Sequence, residues 1–147
     1  MINVLQAMIL TDKEKLVLTP TYYVFKMYVP FQDATFIPVT FDAGIYTRGS
    51  ETLPRVDAIA AKSTDGKLLL EITNLDPENP ATIDAALTGI KAKSARAETL
   101  SAVAVDSINT FESPKTVVPK SAAVKLQNAQ ISLTLEPRSV TVVSIEQ

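Results

Sequence analysis

The segment RVDAIAAKSTDGKLLLEITN, residues 55–74, decides the fold. Its second half alternates. Leu68, Leu70 and Ile72 share one face, with Lys67, Glu71 and Thr73 opposite. A period of two belongs to a strand in a sheet with one dry face and one wet face. Asp65-Gly66 separates this run from the apolar run at 55–63. A type I′ turn needs positive φ, and Asp-Gly supplies it, so the segment predicts a β-hairpin.

The same period recurs outward from this hairpin. Ile83, Ala85 and Leu87 alternate with Thr82, Asp84 and Thr88. Ile131, Leu133 and Leu135 alternate with Ser132, Thr134 and Glu136, and Ile37, Val39 and Phe41 share a face. Asp76-Pro77-Glu78-Asn79-Pro80 must interrupt any regular element. Pro137 ends one strand, and Ser139 to Ile145 makes another that slips phase. Val140 and Val142 point one way, and Val143 and Ile145 the other. Either a bulge near Val142 or a strand buried on both faces accounts for this. The pattern fades between about 105 and 119, where Asn109-Thr110-Phe111-Glu112-Ser113-Pro114 and Pro119 read as a long loop.

The first thirty residues differ. Ile2, Leu5, Met8 and Ile9 have helical spacing, yet Leu16-Val17-Leu18 is able to pair as a strand with residues 6–10. The sequence leaves both open. Thr19-Pro20-Thr21 reads as a helix start, with proline in the first turn. Tyr22, Phe25 and Val29 would then share one helical face, and Pro30 ends the helix. The expected fold is all-β: an antiparallel β-sandwich of roughly eight strands behind a short N-terminal helical segment.

Composition narrows the chemistry. The chain has 147 residues, a length that suits one domain. It has no histidine and no cysteine. That removes histidine bases, Ser-His and Cys-His nucleophile pairs, thiolate chemistry, disulfides and His-rich or Cys-rich metal sites. A net charge of −2, with both signs interspersed, gives no electrostatic case for nucleic acid or anionic lipid. No apolar run is long enough to span a bilayer. Residues 1–4 lack the basic region of a secretory leader, and the composition leaves the compartment open. Four glycines make no phosphate loop, so no cofactor site is expected.

Paired carboxylates would be the remaining route to hydrolysis. Glu51, Asp57, Glu71, Asp84, Glu98 and Glu136 all sit beside apolar residues in strand patterns, which places them on wet sheet faces. Glu78-Asn79-Pro80 permutes the Asn-Glu-Pro triplet of barrel glycosidases, but it lies between two strands and reads as a turn. Tyr22, Tyr23, Phe25, Tyr28 and Phe31 cluster at the helix. Without tryptophan they suit packing or an interface better than a sugar platform. Arg48, Arg55, Arg96 and Arg138 are scattered singly and read as solvated surface. No catalytic, cofactor-binding or metal-binding residue is assigned.

The order of several short pieces carries a resemblance. They are Asn3 to Asp12, Leu18-Thr19-Pro20-Thr21-Tyr22-Tyr23-Val24-Phe25-Lys26-Met27-Tyr28, Leu53 to Ala58, Thr73-Asn74-Leu75-Asp76, Asn109-Thr110-Phe111-Glu112 and Ser139 to Glu146. Together they resemble the C-terminal region of the family 51 α-L-arabinofuranosidases over essentially the whole chain. The resemblance implies that residues 1–32 are the end of a (β/α)8 barrel with its connecting helix, and that 33–147 are a jelly-roll-like β-sandwich. It implies a parent enzyme that removes terminal α-L-arabinofuranosyl groups from arabinan or arabinoxylan with two glutamates. Both glutamates would lie on the barrel, and no residue of this chain matches them. Tyr23 departs from the pattern, which has histidine there.

The resemblance further implies a strand lent to the sandwich from elsewhere in the parent. The expected partners are therefore the catalytic barrel and, through an open edge or the N-terminal segment, a second copy of the chain. The competing expectation is a free-standing carbohydrate-binding module.

Overall fold

The computed structural model describes residues 7–147. Two short strands, β1 (Ile9–Asp12) and β2 (Lys15–Leu18), precede helix α1 (Pro20–Tyr28) and a single 3-10 turn (Val29–Phe31). Strands β3 (Thr35–Ile37), β4 (Ile45–Arg48), β5 (Glu51–Pro54), β6 (Val56–Lys62), β7 (Leu68–Asn74), β8 (Ala81–Ala86) and β9 (Ser94–Leu100) follow. After a long loop come β10 (Lys120–Ala122), β11 (Val124–Gln127), β12 (Gln130–Leu135) and β13 (Ser139–Glu146). The architecture is the expected all-β sandwich. Its strands are more numerous and shorter than alternation alone indicated.

The hairpin read at 55–74 is β6–β7, with Lys62 opposite Leu68. Its turn is not type I′. Five residues, 63–67, connect the strands, and the Gly66 N–H donates to Ser63 O at 3.0 Å. Only Gly66 takes positive φ there, at +87°. Asp65 instead uses its carboxylate, which accepts from the Ser63 hydroxyl and, at 2.7 Å, from Lys67 Nζ. The glycine was the necessary residue; the aspartate acts through its side chain.

One sheet has the order β10-β9-β13-β7-β6-β3, and a second has β11-β12-β8. The inner face of the large sheet carries Leu68, Leu70, Ile72, Ala97, Val143 and Ile145 against Ile131, Leu133 and Leu135 of the small one. Ile131, Val143 and Ile145 are fully buried. Each such side chain contributes about 1.5–3 kcal/mol relative to exposure. β13 runs in unbroken register between β7 and β9. The phase slip at Val142–Val143 is therefore that of a central strand covered on both faces, not of a bulge.

The cover on the outer face is a second core. Met27, Leu100, Val117 and Val142 are buried there, with Tyr23, Val24, Phe31, Ala102 and Val140 packed around them. The domain thus has three layers: small sheet, large sheet, and a cap of α1 with loop 101–119.

One alternative is settled and one expectation changes. Of the helix and the strand pair left open at the N-terminus, the strand pair forms, β1 and β2 making a hairpin with Ile9 opposite Leu18; Ile2 and Leu5 lie outside the described residues. Val39 and Phe41 do not continue the strand of Ile37, because β3 stops before Pro38, which has no N–H to give a ladder.

Candidate functional site

Construction of the cap begins at Thr19. Its hydroxyl oxygen accepts from Tyr22 N–H and lies 2.9 Å from Ala7 O, while its own N–H donates to Met8 O at 3.0 Å. One residue thus starts α1 and fastens it to Ala7 and Met8, just before β1. Pro20 occupies the first helical turn, where no N–H is needed. The helix then buries Met27 fully and Tyr23 and Val24 partly. On the face shared by Tyr22, Phe25 and Val29, Phe25 (61 % exposed) and Val29 point to solvent rather than into the sandwich.

The loop is tied to the same layer by Asn109, which is 2 % exposed. Its amide donates to Leu18 O at 2.8 Å and Val117 O at 2.9 Å, and its carbonyl accepts from Val117 N–H at 2.7 Å. Arg138 reaches the start of the loop, donating to Ala102 O at 3.0 Å and Val103 O at 2.9 Å. Held so, the loop still presents Val103 (94 % exposed), Val105 (81 %) and Ile108 to solvent. Such aliphatic side chains on an anchored loop, beside a helix exposing Phe25 and Val29, mark an interaction surface.

The candidate carboxylates lie on several strands, and of them Asp57 and Glu71, diagonal neighbours on β6 and β7, are near enough to interact. Glu51, Asp57, Asp84, Glu98 and Glu136 are exposed, as expected. Glu71 is not on a wet face: it is 3 % exposed beneath the cap. Its carboxylate accepts from Thr73 Oγ1 at 2.6 Å, and the Tyr28 hydroxyl is near enough to influence it. Burial pushes it above the ordinary glutamate value; the two hydroxyls oppose this, and the charge of Asp57 adds to it. The same burial and the same carboxylate push the Tyr28 phenol well above its ordinary value. A signal was present in the sequence. Leu69 shares the face of Glu71 in the run Leu68-Leu69-Leu70, and a wet face would not carry it.

Two arginines read as surface are structural. Arg55 Nε lies 3.3 Å from Asp76 Oδ2, and its Nη2 donates to Pro80 O at 2.7 Å. Asp76 Oδ1 caps the turn by accepting from the Glu78 and Asn79 N–H groups, both at 2.9 Å. Those bonds hold the Asp76 carboxyl below its ordinary value. Asn74 joins the knot, donating to Asn79 O and Glu136 O. Glu78-Asn79-Pro80 is therefore a turn. Arg138 anchors the loop, while Arg48 and Arg96 are exposed.

A cavity of ≈ 720 Å³ opens between the sheets, lined by Ile37, Val39, Phe41, Ile83, Ala85 and Ile90 among others. It lies beside β8, one of the two edge strands of the small sheet. Asp42 and Asp84 reach its rim. Each has a local role, accepting from Gly44 N–H at 3.0 Å and from Ser132 Oγ at 2.6 Å respectively. Among the described residues, no three histidine, cysteine, aspartate or glutamate side chains converge as a metal site would require.

Residues 1–139 match the family described as the α-L-arabinofuranosidase C-terminal domain. The chain is 37 % identical to an intracellular exo-α-L-arabinofuranosidase of Bacteroides ovatus over 99 % of its own length and 29 % of that protein's. It thus spans under a third of the curated relative that it matches. The structure is similar to a GH51 arabinofuranosidase of Xanthomonas axonopodis pv. citri, with a TM-score of 0.95 and 36 % identity over 99 % of this chain and 30 % of that one. A thermostable GH51 α-L-arabinofuranosidase of Thermotoga petrophila aligns with a TM-score of 0.84 and 26 % identity, over 99 % and 32 % of the respective chains.

Proposed function

The chain belongs to the α-L-arabinofuranosidase C-terminal domain family, and from that premise we propose that it is a non-catalytic accessory domain. Its parent hydrolyses terminal α-L-arabinofuranosyl groups of arabinan or arabinoxylan. The capped outer face, with residues 1–32 as the connecting segment, docks on the parent's catalytic barrel, and the sandwich of residues 33–147 supports it. What supports this reading is the set of exposed aliphatic side chains on the anchored cap. Hydrolysis needs two carboxyls converging on one glycosidic bond; docking needs apolar surface, and Phe25, Val29, Val103, Val105 and Ile108 offer it.

The open edge of β8 beside the apolar cavity supports a second element of the reading. An unpaired strand edge is a template for another strand. In the chain alone it is satisfied by a second copy, so light scattering at high concentration returns dimers or larger species. A monomer throughout would remove this element.

The accessory role is tested with the purified chain. It leaves an aryl α-L-arabinofuranoside intact, and calorimetric titration with arabino-oligosaccharides is silent up to millimolar concentrations. Hydrolysis would make the chain an enzyme, and saturable binding would make it a carbohydrate-binding module; either result overturns the proposal.

A further inference from the structure

The small sheet is too narrow for the large one. Three strands, β11-β12-β8, face six, β10-β9-β13-β7-β6-β3. β11 lies against β9, so β12 and β8 reach only to the middle of the large sheet, and β6 and β3 have no strand opposite. Ile37, Val56, Ala58 and Ala60 of those two strands line the open cavity instead. The cavity is bounded by two consecutive runs, residues 37–42 and 82–88. Inward and outward residues of β8 alike border it, so the unpaired backbone edge of β8 is its wall. The space is shaped for added strands.

The chain carries two strands that join neither sheet. β4 and β5 pair only with each other. Their register sets Ile45 opposite Pro54, Tyr46 opposite Leu53, Thr47 opposite Thr52 and Arg48 opposite Glu51. Ile45 is 73 % exposed and Leu53 is exposed too. A two-stranded ribbon is marginal in water by itself, so this arm gains from whatever covers it. We propose that two copies of the chain exchange these arms, β4 of each pairing with the β8 edge of the other, so that each small sheet becomes β11-β12-β8-β4-β5. The proposal rests on the reading of β8 as an edge completed by a second copy, and names the element that completes it.

Alternation and charge select β4 and its orientation. Side chains opposite one another in a sheet share a face. Ile83 and Ala85 pack against the inner core, which leaves Thr82 and Asp84 outward and exposed. Turning Ile45 inward beside them puts Arg48 outward, on the face of Asp84. The opposite orientation carries Arg48 into an apolar cavity, at a large desolvation cost. Adding β5 instead turns Glu51 either into the cavity or toward Asp84, and Pro54 has no N–H for the ladder. Among the described residues Arg48 forms no ion pair. Asp84 accepts from Ser132 Oγ at 2.6 Å and has acceptor capacity left for a guanidinium. Asp42, at the same rim, adds a second negative charge. A reciprocal exchange has two-fold symmetry and closes at the dimer.

The test is sedimentation of the whole chain at low salt. The wild type is expected to show a monomer–dimer equilibrium. Arg48→Glu and Asp84→Lys each set like charges against one another at both contacts, and each weakens the dimer roughly tenfold. Mixed one to one, the two variants recover wild-type dimerisation, because both contacts of the mixed dimer then join opposite charges. The double variant recovers it alone. Such recovery is not produced by variants that merely misfold. A wild type that stays monomeric overturns both the exchange and the reading of β8 on which it rests. Dimerisation that either single variant leaves unchanged, or that mixing fails to restore, overturns the exchange alone and leaves the β8 edge to a different strand.

Discussion

Replacing Asn109 with alanine tests how the cap is held. The substitution removes three hydrogen bonds at once, two donated to Leu18 O and Val117 O and one accepted from Val117 N–H. Both groups of Val117 are buried, and that residue belongs to the outer core. A buried polar group left without a partner costs about 1–3 kcal/mol. Leu18 O is half-buried and regains water at little cost. Two stranded groups therefore set the loss at about 2–6 kcal/mol, a large share of the roughly 5–15 kcal/mol that stabilises a typical domain. The assay is urea unfolding with amide exchange at Val117 and along residues 21–28. The loss should appear first as faster exchange in the cap, with the β7–β13–β9 ladder still protected, because loop 101–119 detaches before the sandwich core does. Thr110→Ala, which loses one exposed bond to Ser113 N–H, is the control and changes stability by under ~1 kcal/mol. If Asn109→Ala unfolds within ~0.5 kcal/mol of the wild type and Val117 exchanges as before, Asn109 is not what fastens the cap.

Three other outcomes follow from the same geometry. Ile131→Ala in the middle of the small sheet, where exposure is 0 %, destabilises by about 2–5 kcal/mol in denaturant unfolding; a loss below ~1 kcal/mol would mean that the small sheet is not packed as described. Gly66→Ala meets open space yet is held at φ +87°, so its cost is conformational, about 1 kcal/mol in thermal unfolding. Asp76 is held below its ordinary 3.8 by the Glu78 and Asn79 N–H groups first, so its contribution is present above that value and lost as pH falls through the lowered one. Asp76→Asn should therefore flatten the acid limb of a stability-versus-pH curve, and an unchanged limb would exclude the knot as its source.

Much of the inner core was legible because alternation is a local signal. Leu68, Leu70, Ile72, Leu133 and Leu135 all face the sandwich as their spacing requires. The outer core was not legible, because it depends on what covers the second face. Alternation reports that a residue points away from the inner core; it does not report whether water or α1 waits on the other side. Glu71 was misread for that reason. The helix shows the complementary failure. Tyr22, Tyr23, Val24, Phe25, Met27, Tyr28 and Val29 are apolar or aromatic on most sides, so helical period alone selects no stripe, and Met27 rather than Phe25 became the buried one. The missing histidine and cysteine remove imidazole and thiolate chemistry, and that exclusion is read from composition alone. The structural uses of Arg55, Arg138 and Asn109 depend on partners 21, 35 and 91 positions away, and local pattern carries no trace of such contacts.

The place of β13 between β7 and β9 has a kinetic meaning. Six strands of the large sheet are joined through the one that comes latest in chain order. As a chain grows from its N-terminus, β6 and β7 close into a hairpin early, and β9 and β10 follow, but the two halves have no hydrogen-bonded bridge until residues 139–146 arrive. Closing the gap from Leu68 to Ile145 is a long-range event with its loop entropy borne before contacts compensate it. Until then the inner edges of β7 and β9, rich in leucine and alanine, stand open in a sheet that is still two pieces. Those open edges make the unfinished chain, more than the finished domain, the species most exposed to aggregation.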